Sequence, residues 1–256
     1  MKNCLILGSG RSGTSMVAGT LAKAGYFMGD RLIPARDGNP KGFFEDEEIN
    51  RLNEELLAQV LPKRPRFIGR YFFRDRPLYG QKWLAQVPVG TTIPSNPQII
   101  EKIKAIAQRE PFCFKDPRFC YTLPVWRSCL NNVVFVCVFR DPITTAKSIM
   151  KEVSYDQHLH YFNIKFEQAL DIWLLMYKHI LEIHQFEGEW LFLHYDQVLT
   201  GEGLEKLATF TGASIDCSFP DISLRRSQSE QPIPKKTETM YQHLCELAGY
   251  TEAVPV

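Results

Sequence analysis

The opening of the chain constrains the fold more than any other stretch. An apolar segment, Cys4-Leu5-Ile6-Leu7, runs into Gly8-Ser9-Gly10-Arg11-Ser12-Gly13-Thr14-Ser15, after which Val17, Leu21 and Ala24 recur at helical spacing until Gly25. A strand that ends in Gly-x-x-x-x-Gly and opens into a helix is a phosphate cradle. The glycines let successive N–H groups turn inward, and the helix N-terminus adds partial positive charge. The Walker A pattern requires Lys and then Ser or Thr after the second glycine. Here Thr14 and Ser15 follow Gly13, so the lysine that would sit on β- and γ-phosphates is missing. The available cation is Arg11, two residues before Gly13.

Short apolar runs alternate with longer amphipathic stretches along the rest of the chain. That alternation predicts an α/β domain with a central, mainly parallel sheet between helical layers. Further strands are expected at Phe112–Phe114, Val133–Phe139 and Trp190–Leu193. Helices are expected from about Asp46 to Pro62 (Ile49, Leu52, Leu56, Val60), from near Pro97 (Ile99, Ile103, Ile106), over about Lys165–Phe186, and through Leu204, Leu207 and Phe210 before Gly212. With 256 residues and 45% hydrophobic content the chain suits a single domain over 1–256. Prolines, aromatics and basic residues crowd positions 62–97, which read as an insertion or lid, its aromatics either shaping a pocket or anchoring the loop. The segment after Ser214 is polar, carries Arg225-Arg226 and Lys235-Lys236, and has no readable element.

Thirty basic against 29 acidic residues leave a net charge of +1, which argues against a nucleic-acid binder. Any anion must be met locally. The longest apolar run, Val133–Phe139, is too short to span a bilayer, and the N-terminus lacks a signal-peptide pattern, so a cytoplasmic location is expected. Seven scattered cysteines without a C-x-x-C pair read as reduced core thiols, and no metal site is evident.

A second signature follows the glycine loop in the right order. Phe139-Arg140-Asp141-Pro142 closes a strand, and Ser148 stands eight residues after Arg140 in the next helix. Further on come Lys41-Gly42-Phe43-Phe44-Glu45-Asp46, Phe114-Lys115-Asp116-Pro117-Arg118 and Leu193-His194-Tyr195-Asp196. Over roughly positions 4 to 212, with 62–97 excepted, these segments resemble bacterial-type sulfotransferases that use 3′-phosphoadenosine 5′-phosphosulfate (PAPS), a family with a P-loop-NTPase-like fold. The resemblance implies that Gly10, Arg11, Ser12, Gly13, Thr14 and Ser15 hold the 5′-phosphosulfate. It also implies that Arg140 and Ser148 hold the 3′-phosphate and that Tyr195 lies near the adenine. The Arg-Lys-Gly cap of cytosolic eukaryotic members is absent, and Arg225-Arg226 either substitute for it or form a solvated basic turn.

The implied reaction is sulfuryl transfer to a hydroxyl or amine of a small-molecule, lipid or saccharide acceptor, without metal, leaving adenosine 3′,5′-bisphosphate. Arg11 would offset charge on the leaving phosphate. A hydroxyl acceptor needs a base: Glu45 is the first candidate, although Glu45, Asp46, Glu47 and Glu48 also suit a helix N-terminus electrostatically. Asp116 is the second candidate, or else an ion-paired loop residue between Lys115 and Arg118. His158 and His160 are weaker candidates. Two other functions share such a cradle, an ATP-dependent P-loop kinase and a non-enzymatic nucleotide-binding protein.

Overall fold

The structure, a computed structural model, describes residues 1–36, 38–65, 72–156, 159, 162–224 and 231–251. His158, His160, Arg225 and Arg226, together with Phe67 and Tyr71 of the 62–97 segment, lie outside the described residues. Among those described, strands β1 (Asn3–Leu7), β2 (Cys113–Lys115), β3 (Val133–Phe139) and β4 (Trp190–His194) form one parallel sheet in the order β2-β1-β3-β4.

Side-chain alternation along these strands builds two cores. Cys4 and Ile6 of β1 and Val134, Val136 and Val138 of β3 face helices α1 (Thr14–Lys23) and α8 (Glu202–Thr211). Leu5, Leu7, Phe135, Cys137 and Phe139 face the other way, into the larger core. That core takes in α2 (Glu47–Leu57), α3 (Pro97–Ile106), α4 (Phe119–Arg127), α5 (Pro142–Tyr155) and α6 (Phe166–His179). Both faces of the sheet are covered, so apart from the end residues Asn3, Lys115 and His194 its strands are apolar, as buried parallel strands are. This is the expected three-layer α/β architecture.

Local chemistry sets the helix boundaries. Asp46 caps α2 through the N–H groups of Glu48 and Ile49, and Asn96 caps α3 ahead of Pro97. Helix α2 stops at Leu57, so Val60 lies in the turns that precede Pro62 rather than on the helix. The expected helix over Lys165–Phe186 is α6 followed by a π turn at Ile180–His184. Helix α4 contains Pro124, whose missing N–H leaves the Cys120 carbonyl without its usual partner. His184 Nε2 donates to that carbonyl at 3.0 Å, which joins the π turn to α4.

The polar C-terminal segment is not peripheral. Residues Lys235–Ala248 form α9, which buries Tyr241, Leu244 and Ala248 against β4. Between β4 and α8 lies the short α7 (Tyr195–Thr200).

Sheet order also locates a crevice. From β1 the chain leads to β2 on one side, whereas β3 leads to β4 on the other. The connections therefore diverge between β1 and β3, where open α/β sheets bind ligands at the carboxyl ends of their strands.

Candidate functional site

All four strands end at one cleft of ≈ 630 Å³. Beyond β1 the glycine loop supplies Gly10, Arg11, Gly13, Thr14 and Ser15. Beyond β2 come Pro117 and Arg118, with Lys115 ending the strand itself. Beyond β3 comes Arg140, and beyond β4 Tyr195. Ser148 of α5 and Glu45 line the same cleft. These residues are distant in sequence, and the topology alone brings them together.

Helix α1 opens toward the cleft with Gly13 as N-cap, no side chain bonded to its free N–H groups and no acidic residue in its first turn. Its partial positive charge is left for a ligand anion. Gly13 has φ +94°, and a Cβ there would stand 2.5 Å from the Tyr195 ring. Gly10 lies under Trp83, with 2.7 Å between its notional Cβ and the indole. Glycine is needed at both places by contact, and at Gly13 by conformation as well.

Arg140 is nearly buried, and its guanidinium sits 4.2 Å from the centre of the Tyr195 ring. Its carbonyl accepts from Trp173 Nε1 at 3.2 Å. Arg11 takes a course the sequence reading did not assign to it. Its Nε donates to Ser148 Oγ at 3.2 Å, Nη2 to the Gly38 carbonyl at 2.9 Å, and Nη1 lies 3.3 Å from Glu152. Arg11 thus leaves the cradle for α5, because Ser148 and Glu152, one turn apart, offer it a hydroxyl and a carboxylate. The two expected anion points thus meet through Arg11 and Ser148, and Arg140 lines the same cleft. Ser12 is also redirected, being fully buried with its hydroxyl on Tyr177 Oη at 3.1 Å.

The opposite wall is a charge network. Helix α2 lines it with Glu47, Asn50, Arg51 and Glu54, spaced i, i+3, i+4, i+7. Glu45, just before the helix, pairs with Lys115 through one oxygen and accepts from Asn50 Nδ2 at 3.0 Å through the other. Burial disfavours its ionised form, but Lys115 and Arg118 outweigh that and hold Glu45 below the ordinary carboxylate range. It is a carboxylate at neutral pH.

Asp116, the second base candidate, does not line the cleft. It is fully buried and accepts from the Arg118 N–H at 2.8 Å, Arg118 Nη1 at 3.0 Å and Asn53 Nδ2 at 2.9 Å. Burial, against the pull of Arg118, raises its pKa. The geometry makes Asp116 the residue that orients Arg118, the ion-paired alternative weighed from sequence.

Three further residues matter here, none of them a site candidate from sequence. Tyr177 Oη donates to the Val138 carbonyl at 2.8 Å and accepts from the Ser9 N–H at 3.2 Å, beneath the glycine loop. Trp173, one turn earlier on α6, supports Arg140. Glu54, buried, accepts from Gly80 N–H, Lys82 N–H, Lys82 Nζ and Arg118 Nε at 2.7–2.9 Å, and so ties the 62–97 segment to the cleft. The available signal was the polar side of the α2 repeat, Glu47, Asn50, Arg51 and Glu54. His179 and His184 are buried and bonded to backbone carbonyls of Val87 and Cys120, away from the cleft.

No protein-family model matches the sequence, and a search of curated proteins returns no match. Solved structures do match. The sulfotransferase domain from the Synechococcus PCC 7002 olefin synthase aligns over 100% of this chain and 98% of its own, with a TM-score of 0.56 at 14% identity. The sulfotransferase domain from the curacin biosynthetic pathway aligns over 99% of both chains, with a TM-score of 0.53 at 14% identity. The likeness establishes the architecture: a four-stranded parallel sheet flanked by helices, as in these sulfotransferase domains.

Proposed function

We propose that this chain of sulfotransferase fold transfers a sulfuryl group from PAPS to a hydroxyl or amine of a small-molecule, lipid or saccharide acceptor. The observation that carries the reading is the convergence, in one cleft, of an uncapped helix N-terminus, of Arg11, Ser148 and Arg140, and of an ionised buried carboxylate.

The residues present fit the donor. Gly10 and Gly13, where a Cβ would strike Trp83 or Tyr195, let the loop backbone line the cleft at the uncapped α1 N-terminus. The N–H groups there, with the Thr14 and Ser15 hydroxyls, would hold the 5′-phosphosulfate. Arg140 offers a planar fork to the 3′-phosphate, and Ser148 with Arg11 a second contact. Tyr195, backed by Arg140, presents an aromatic face for the adenine. When bound, the donor supplies an activated sulfuryl group on a phosphate leaving group.

What the chain itself contributes is position and charge. The α1 N-terminus stabilises negative charge on the phosphate side. Lys115, at the end of β2 beside β1, adds a second cation to the cleft lining that Arg11 shares. Glu45 is held ionised and can take the acceptor's proton on a carboxylate oxygen. Asn50 and Lys115 fix its orientation, the role a third group plays for a catalytic base.

Thermal stabilisation tests the reading. Adenosine 3′,5′-bisphosphate without metal should raise the melting temperature, whereas ATP with magnesium should do little. The reverse preference would return the chain to the kinase reading. Glu45→Gln should keep the bisphosphate shift and abolish transfer. Robust turnover by that variant removes Glu45 as base.

A further inference from the structure

Residues 62–97 carry seven basic side chains and one acidic one, Asp75, within a chain whose total net charge is only +1. The rest of the protein is therefore net acidic, and the positive charge is concentrated in this segment. Its described tip is also apolar where it meets solvent. Phe72 is 65% exposed, Phe73 40%, Leu78 39% and Tyr79 67%, so four large apolar side chains face water within eight residues. Isolated exposed hydrophobes need no explanation, but a contiguous group beside a cleft does.

The tip is built rather than frayed. One turn is closed by Arg76 N–H donating to the Phe73 carbonyl at 3.0 Å, and a second by Gln81 N–H donating to that of Leu78 at 3.1 Å. Phe73 has φ +61°, a conformation bulky residues avoid, and the Arg76 guanidinium lies 4.2 Å from its ring centre. The base is pinned by the buried Glu54 carboxylate through Gly80 and Lys82. Tyr79 and Gly80 themselves line the cleft, so the exposed tip continues into its mouth.

The geometry points to an anionic lipid bilayer as the surface on which this rim docks. Aromatic and Leu side chains on short turns settle at headgroup depth, and Lys63, Arg74 and Arg76 beside them meet the lipid anions. A fluid, negatively charged interface is matched by charge and apolar tips alone, without a shaped counterpart. Docking in this way sets the cleft mouth against the bilayer. A lipid-borne acceptor then reaches Glu45 without crossing water, a consequence that rests on the transfer reading above, whereas the docking itself does not.

The test is sedimentation of the full chain with phosphatidylcholine vesicles, with and without phosphatidylserine, alongside the bisphosphate melting shift. Binding is expected only to the phosphatidylserine vesicles and should weaken with salt. The paired variant Phe72→Ser with Phe73→Ser should lower binding about tenfold or more. Lys63→Glu with Arg74→Glu should lower it by more than the about fivefold expected per basic residue. None of these four positions lines the cleft, so both variants should keep the wild-type bisphosphate shift, which also certifies their fold. Failure of the wild type to bind phosphatidylserine vesicles, or binding unchanged in both variants, overturns the inference. So does concentration-dependent self-association abolished by the Phe substitutions, which would give the rim to a second copy. Vesicle binding as expected, with no bisphosphate shift, would uphold the docking and sink the transfer reading.

Discussion

Tyr177→Phe removes a single hydroxyl and should damage the donor site from below. That hydroxyl donates to the Val138 carbonyl at 2.8 Å, accepts from the Ser9 N–H at 3.2 Å and meets Ser12 Oγ at 3.1 Å, all buried. The substitution opens no large cavity, so the cost comes from polar groups left behind. A net loss of about 1 kcal/mol for each of the three contacts gives roughly 3 kcal/mol. For a domain of this size that lowers the melting temperature by about 6–12 °C. A merely structural role would end there. Because Ser9 and Ser12 belong to the glycine loop, the loop should also lose its preset form, and the affinity for adenosine 3′,5′-bisphosphate should fall by about tenfold. The assay is calorimetric binding below the melting range of the variant, next to a thermal melt of the free protein. A melting temperature within about 2 °C of wild type refutes the hydrogen-bond reasoning. Unchanged affinity in a destabilised variant refutes the link from Tyr177 to the loop.

Gly13→Ala adds a strained conformation and a 2.5 Å contact with Tyr195, while Gly25→Ala, at φ +93° with nothing within 4 Å, adds strain alone. Gly25→Ala should cost about 1 kcal/mol and leave the bisphosphate shift intact, whereas Gly13→Ala should abolish that shift; equal behaviour in melts with and without the bisphosphate would discount the Tyr195 contact. Arg140→Ala should weaken the bisphosphate in calorimetry by about 10- to 100-fold, as loss of a charged hydrogen-bonding partner does. Burial, against its bond to Cys120, pushes the His184 pKa down from 6.5 to about 4. Between those two values the unfolded chain binds the extra proton, so stability is full above pH 6.5 and declines as pH falls toward 4, by about 3 kcal/mol in all. Urea midpoints against pH should show this decline, and His184→Gln should reduce it.

The proposed donor contacts could be read from sequence because their chemistry is local. A glycine loop after an apolar strand, and Arg140 eight residues before Ser148, carry their meaning in short spacings that survive without knowledge of the fold. What escaped was decided by tertiary direction. No spacing tells that Arg11 turns away from its own loop, since that depends on Ser148 and Glu152 arriving from α5. Asp116 follows a strand end, as a cleft residue should, yet Arg118 and Asn53 draw it inward. Tyr177 has the spacing of a core residue and is one, but its hydroxyl serves the loop above it. Helix α9 was missed although Pro234, the Tyr241–Leu244–Ala248 spacing and Gly249 mark it, because paired lysines at its start gave the segment a polar look.

The cations of the cleft are largely committed before any ligand arrives. Arg11 faces Glu152, Lys115 faces Glu45, and Arg118 is shared by Asp116 and Glu54. Lys82 completes the set on Glu54. Such pairing explains how a protein with almost no net charge can offer a site to a strongly anionic donor. Buried charges must be neutralised locally to be tolerated at all. The Arg140 guanidinium lies over the Tyr195 ring, and its carbonyl accepts from Trp173 Nε1. Lys115, whose partner is the proposed base, gains freedom only as Glu45 takes up a proton.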